Sequence, residues 1–285
     1  MTTPSDYALL DSGEGEKLER LGPVTLARPC SVALWRRRCP AAWSGAARYA
    51  PKTHWLGAPT EPWKMQLGSV HCLVRCQNNG QIGVFPEHLS YFPWLSLVTK
   101  SVTEMKARPA RVLNLFAYTG LASILCALQG AEVTHIDNSK AVLSWARENA
   151  AMNRIPAEKL RLLCDDALAF IEREARRGNR YDVIIADPPS FSRPTKGKSW
   201  DLEEVVGPLL KSMTALFEST GSALVLSSHH QALTATVLQN LLFDFVAADT
   251  KTIPLALKES SGIRTIPSGT ALCALTEGLQ GIGLP

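Results

Sequence analysis

The chain has 285 residues, a formal net charge of +4, 46% apolar and 20% charged residues. That length allows one sizeable core with a smaller partner domain, and the composition excludes an intrinsically disordered chain. No apolar run approaches the roughly 20 residues that a membrane-spanning helix needs.

The opening MTTPSDYALLDSGEGEKLERLG is polar and acidic and does not read as a secretory signal. Seven scattered cysteines, odd in number and without CxxC spacing, point to reduced thiols in a cytoplasmic protein. Residues 1–95 read as a small β-rich domain, dense in Trp, Pro and Gly and weak in helical periodicity. Five of the seven tryptophans fall there, namely Trp35, Trp43, Trp55, Trp63 and Trp94. VHCLVRC and IGVF are predicted as strands around the turn QNNGQ. Cys72 and Cys76, with His71 beside them, are either a metal corner or small buried hydrophobes; the second reading is preferred and no metal is expected. Between Leu26 and Thr60 stand Arg28, Arg36, Arg37, Arg38, Arg48 and Lys52 without one acid. That segment is either a basic surface for phosphates or a solvated face.

From about residue 96 to 285 strands and helices alternate. RVLNLFA (111–117), EVTHID (132–137), LRLLCDD (160–166), YDVIIADPP (181–189) and SALVLSS (222–228) are predicted strands. TGLASILCALQG is a predicted helix stopped by Gly130. SKAVLSWARENAAMN follows with Ser139 as N-cap, then ALAFIEREARRG, and two more helices are predicted near 201–218 and 231–245. KTIPLAL and TALCALT close the chain as strands with no helix between them. The expected fold class is α/β: a doubly wound, Rossmann-like, mostly parallel seven-stranded sheet whose last strand is antiparallel, behind a small β-rich N-terminal domain.

In such a sheet ligands bind outside the carboxyl ends of the strands. The first strand ends in NLFAYTG, where Gly120 opens the helix and leaves backbone N–H groups for a ligand. The second ends in Asp137 and Asn138, and Asp137, 17 residues after Gly120, is placed for ribose hydroxyls. The third ends in Asp165 and Asp166, the fourth in Asp187-Pro188-Pro189-Ser190. Each acid has an alternative as a helix N-cap. The first loop lacks the further glycines of a dinucleotide fingerprint, so a nucleoside with a charged tail fits better than a pyrophosphate. Prolines offer carbonyl acceptors and no donor, so the tip ADPPSFSR suits a substrate that donates. Phe191 is a candidate for stacking on a planar base.

NLFAYTG, THIDNSKAVLSWARENAAMN, CDDALAF and DVIIADPPSFSR together resemble the class I S-adenosylmethionine-dependent methyltransferases. More narrowly, they are similar to bacterial enzymes that modify large-subunit ribosomal RNA at cytosine carbon or guanine nitrogen. The likeness covers residues 82–230, and GVFPEH and DYALLDSGEGEKLERLG resemble segments that precede the catalytic domain in these proteins. The resemblance implies S-adenosylmethionine as cofactor. Its methionine part falls to the loop Asn114, Phe116, Ala117, Tyr118, Thr119 and Gly120, its ribose to Asp137 with Asn138, and its adenine to Asp166. Asp187, Pro188, Pro189 and Ser190 then face both the methyl group and the target. Carbon-methylating relatives carry a cysteine nucleophile after the fifth strand, where this chain reads LVLSSHHQAL. A pyrimidine carbon needs a covalent adduct to react, so a base nitrogen in RNA, ribosomal RNA first, is the favoured target. His229 and His230 serve either as bases or at a helix start. The competing readings are a methyltransferase for a protein side chain, a small molecule or cytosine carbon, a nicotinamide-dependent oxidoreductase, and a non-catalytic RNA-binding module. The partner is RNA and not a membrane, and the oligomeric state, a dimer included, stays open.

Overall fold

The computed structural model describes residues 6–52, 54–192 and 199–285. The first five residues of the acidic lead, Thr53 and Arg193 of the diproline tip lie outside the described residues. The chain forms two compact units, one of residues 1–89 and 255–268, the other of residues 90–254 and 269–285.

The first unit carries a five-stranded sheet in sequence order. Its strands are β1 (Tyr7–Gly13), β2 (Glu16–Leu21), β3 (Val24–Pro29), β4 (Ala47–Ala50) and β5 (His54–Leu56). All neighbours are antiparallel except β3 and β4. Glu14 and Gly15 both have positive φ, 56° and 78°, the backbone that a two-residue hairpin turn requires. Leu18 and Ala27 pack on the Trp43 ring. A separate ladder joins β6 (Trp63–Leu67) to β7 (Val70–Val74). The expected strand IGVF is not a strand. Bonds from Arg75 N–H to Ile82 O and from Gln77 N–H to Gln81 O close the turn, and Ile82 and Val84 are buried as side chains of an irregular segment. Within β7, Cys72 is buried and His71 exposed, as alternation along a strand requires. Burial pushes the Cys72 thiol up to about 12 and the Cys76 thiol up to about 11. All seven cysteines are free.

The second unit opens with α1 (Phe92–Met105), which the sequence reading passed over. Phe92, Leu95, Val98, Thr99 and Val102 are buried at the spacing of a helix face. There follow β8 (Arg111–Leu115), α2 (Leu121–Leu128), β9 (Glu132–Asp137), α3 (Lys140–Met152), β10 (Leu160–Cys164) and α4 (Ala167–Arg176). Next come β11 (Val183–Ala186), the short strands β12 (Phe191–Ser192) and β13 (Trp200–Asp201), and α5 (Leu202–Thr214). β14 (Ala223–Ser228), α6 (Ala235–Phe243), β15 (Ala248–Lys258) and β16 (Thr265–Thr276) complete the fold. The seven-stranded sheet has the order β10-β9-β8-β11-β14-β16-β15. β8 to β11 and β14 run parallel, and β16 is antiparallel to β14. The mixed α/β fold and its antiparallel closing strand are those expected. Strands β11 and β14 are buried along their whole length, which explains their unbroken apolar runs. The order reverses between β8 and β11, and in open α/β sheets ligands bind outside the carboxyl ends of the strands at such a switch point. Among the described residues no helix is long and apolar enough to cross a membrane.

Candidate active site

The loop after β8 holds an unusual backbone. Phe116, Tyr118 and Gly120 all have positive φ, 54°, 50° and 88°. For residues with a Cβ that conformation costs about 1–2 kcal/mol each and persists only where the surroundings enforce it. Here they do. Ala117 N–H donates to Ile136 O (3.0 Å), Tyr118 N–H to Asp137 Oδ2 (3.0 Å) and Asn149 Nδ2 to Thr119 O (2.9 Å). Below the loop, Asn114 Nδ2 donates to Ser123 Oγ (2.8 Å), which lies 3.0 Å from His135 Nδ1. A Cβ on Gly120 would stand 3.4 Å from both His135 Cε1 and the Ala146 methyl, so the helix start is packed from behind. Asn114 is thus buried beneath the loop.

Asp137 ends β9 as expected. Its Oδ1 accepts from Ser139 N (2.9 Å) and its Oδ2 from Tyr118 N. Burial raises the pKa of this carboxyl, and the two backbone bonds oppose the rise. Each oxygen keeps a lone pair for a ligand hydroxyl. Asn138 is exposed beside it. At the end of β10, Asp165 N donates to Asp137 O (3.1 Å), which ties the two strand ends together. Asp166 is exposed, and its Oδ1 caps α4 by accepting from Ala169 N (2.9 Å). Asp165 pairs with Arg173.

Asp187 follows β11, its N–H directed at Leu115 O (3.4 Å) at the base of the first loop. Ser227 Oγ, from the end of β14, donates to Asp187 Oδ1 (2.6 Å), and His229 Nε2 lies 3.6 Å from the same oxygen. His230 Nδ1 accepts from Ala232 N (3.2 Å) in the turn before α6, whose N-cap is Thr234, and His230 Nε2 sits 3.4 Å from Glu203. Pro188 is buried, Pro189 exposed and Ser190 half-buried. Trp200 Nε1 donates to Pro189 O (2.6 Å), and its ring meets Phe116 at 5.3 Å between centroids and 58° between planes. Phe191 is 53% exposed.

The parallel sheet thus brings Phe116 to Gly120, Asp137, Asn138 and the tip Asp187 to Ser190 to one edge, with Asp166 at its end. Ser123, His135, Asn149, Trp200 and Ser227 were missed. The sequence did carry a signal for His135, a polar residue inside the buried strand EVTHID. It carried none for Trp200, whose place depends on the pairing of β12 with β13. A strained loop, a half-buried carboxylate with spare lone pairs and an acceptor-rich tip fit a nucleoside with an amino-acid tail.

A family model described as S-adenosylmethionine-dependent methyltransferase matches residues 33–238. The chain is 32% identical over 173 residues to a Ribosomal RNA large subunit methyltransferase K/L of Shewanella frigidimarina, covering 59% of this chain and 24% of that protein. It is 34% identical over 182 residues to the protein of the same name from Chromohalobacter salexigens, covering 64% and 22%. The chain therefore spans less than a quarter of the length of these relatives. The crystal structure of a SAM Dependent Methyltransferase from Agrobacterium tumefaciens superposes with a TM-score of 0.84 at 33% identity, covering 97% of this chain and 92% of that one.

Proposed function

The chain belongs to the S-adenosylmethionine-dependent methyltransferases, and from that premise we propose that it methylates a base nitrogen in RNA, ribosomal RNA first. The observation that carries the reading is the tip itself. Asp187 is fixed by the Ser227 hydroxyl at the crevice between β8 and β11, beside the cofactor loop. The names of the similar proteins support RNA as the acceptor.

The bound cofactor supplies an electrophilic methyl group. The loop Phe116 to Gly120 would hold its amino-acid tail, Asp137 with Asn138 its ribose, and Asp166 its adenine edge. Asp187 accepts a hydrogen bond from the target base, while Pro188, Pro189 and Ser190 shape the slot that aligns the reacting nitrogen. Alignment and fixed charge are then the main sources of rate. The end of β14 presents Ser227, Ser228 and His229, with no thiol. Nitrogen, which needs no covalent adduct, is the acceptor that this strand end allows. In the first unit, exposed Arg36, Arg38 and Lys52 are the groups that would meet phosphates.

The test is incubation with labelled S-adenosylmethionine and total RNA lacking the modification, alongside two variants. Label should enter RNA. Asp187→Ala should cut turnover by about 100-fold or more while cofactor affinity changes far less. Asp137→Ala should weaken cofactor binding in calorimetry by about tenfold. RNA containing 5-fluorocytosine should leave no covalent complex on a denaturing gel. A surviving complex would transfer the reading to carbon, and cofactor binding without label in RNA would remove RNA as substrate.

A further inference from the structure

Prolines donate no hydrogen bond, so backbone hydrogen bonding can hold the diproline tip only through its carbonyls and its two ends. The ends are tied by backbone: Asp187 N–H to Leu115 O (3.4 Å) and Leu202 N–H to Ser190 O (3.1 Å). Between them, Pro189 O receives the indole N–H of Trp200 at 2.6 Å. That indole is delivered by the antiparallel pairing of Phe191 with Asp201 and Ser192 with Trp200, while Asp201 caps α5 through Glu203 N. The other side of the same indole packs on Phe116, one of the positive-φ residues of the loop after β8. One side chain thus touches both the segment proposed to hold the cofactor and the segment proposed to hold the target. It also occupies a carbonyl lone pair on Pro189, which shifts the task of meeting the base toward Asp187.

Resting on the function proposed above, we propose that Trp200 is a positioning residue of the methyl-transfer reaction, a clasp that holds the diproline tip in register with the cofactor loop. The ring fills the contact with Phe116, and the N–H fixes the Pro189 carbonyl. Removing the N–H alone should slacken the tip, and removing the whole indole should uncouple tip from loop. Neither change takes away a group that binds the cofactor directly.

The experiment uses the full chain with Trp200→Phe and Trp200→Ala. Trp200→Phe should lower kcat about fivefold, the scale of one neutral hydrogen bond, and Trp200→Ala roughly 100-fold, the scale of a misplaced reacting group. Affinity for S-adenosylmethionine by calorimetry should change at least tenfold less than kcat in Trp200→Ala. Indole emission gives a second readout that needs no RNA. The change on adding S-adenosylmethionine should be smaller in Trp200→Phe than in the unaltered protein, because Trp200 borders the loop. Unaltered kcat in both variants would overturn the inference, as would losses of kcat and cofactor affinity in equal proportion. Failure of the underlying reading shows elsewhere: the unaltered protein would then put no label into RNA, and the emission arm alone would decide the clasp, identical changes in both proteins refuting it.

Discussion

His135 shows how one side chain beneath the site responds to acid. It is fully buried in β9 beside Ser123, and burial drives its pKa down to about 3. The unfolded chain binds a proton there near pH 6.5, while the folded protein keeps the ring neutral. The folded value is depressed, so the unfolded state binds more protons below 6.5. Stability from this group is complete above that pH and is lost as pH falls toward 3, by about 1.4 kcal/mol per unit. Urea unfolding across pH 7 to 4 should show that slope, and His135→Asn, which keeps a polar group near Nδ1, should flatten it. An equal slope in the variant would assign the acid loss to other groups. The loop above His135 was legible in outline only. Gly120 and Asp137 stand in the sequence as a turn former and a strand-end acid. The left-handed backbone of Phe116 and Tyr118 does not, because nothing about a Phe or a Tyr favours positive φ; it comes from tertiary bonds to Asp137, Ile136 and Asn149.

At the scale of elements, α4 puts two roles on one carboxylate. Asp166 caps its first turn, and the proposed contact with adenine uses the same side chain. Asparagine caps a helix as well as aspartate does, whereas alanine loses about 1 kcal/mol. Thermal unfolding should therefore leave Asp166→Asn close to the unaltered protein and lower Asp166→Ala, while calorimetry reports separately on the cofactor. A loss of cofactor affinity in Asp166→Asn, whose cap is intact, would trace to a contact with the ligand and not to the helix start. Most elements of the second unit were readable because β8, β11 and β14 are largely apolar runs, β9 ends at an acid and β11 just before one, and α3 to α6 each carry a capping side chain. The two misreadings differ in source. IGVF has the composition of a strand, but its burial of Ile82 and Val84 is met by an irregular segment tied to Arg75 through the Ile82 carbonyl. In α1 the spacing from Phe92 to Val102 was present, but Pro93 and Trp94 suggested irregular chain; Pro in the first turn is tolerated because its missing N–H would have had no partner there.

Over the whole molecule the acid-free stretch from Leu26 to Thr60 is less basic than its composition suggests. Acids from β2 and the turn before it reach it: Arg28 pairs with buried Glu19, Arg37 with Glu14 and Glu16 while stacking on Trp43, and Arg48 with Glu16. Arg36 and Arg38 remain exposed. If they meet phosphates, Arg36→Ala with Arg38→Ala should lower the slope of log affinity against log salt by about 1.4, at roughly 0.7 per contact with a single strand, and leave cofactor affinity intact. An unchanged slope would remove this surface from RNA binding. Connectivity carries a separate consequence. The chain leaves the first unit after residue 89, returns to it at 255 and departs again after 268. On that return stretch Leu257 and Ile266 bury against Leu9, and Glu259 accepts from Ser12 Oγ at 2.6 Å. No single cut severs the two units. A fragment beginning at residue 90 would carry a hairpin tip stripped of its apolar cover, with a carboxylate that had lost its bond from Ser12. The leading segment is for that reason no exchangeable cassette: a graft from another protein would have to bring its own version of residues 255–268, and a protease nick near 89 would leave the halves still threaded through each other's sequence.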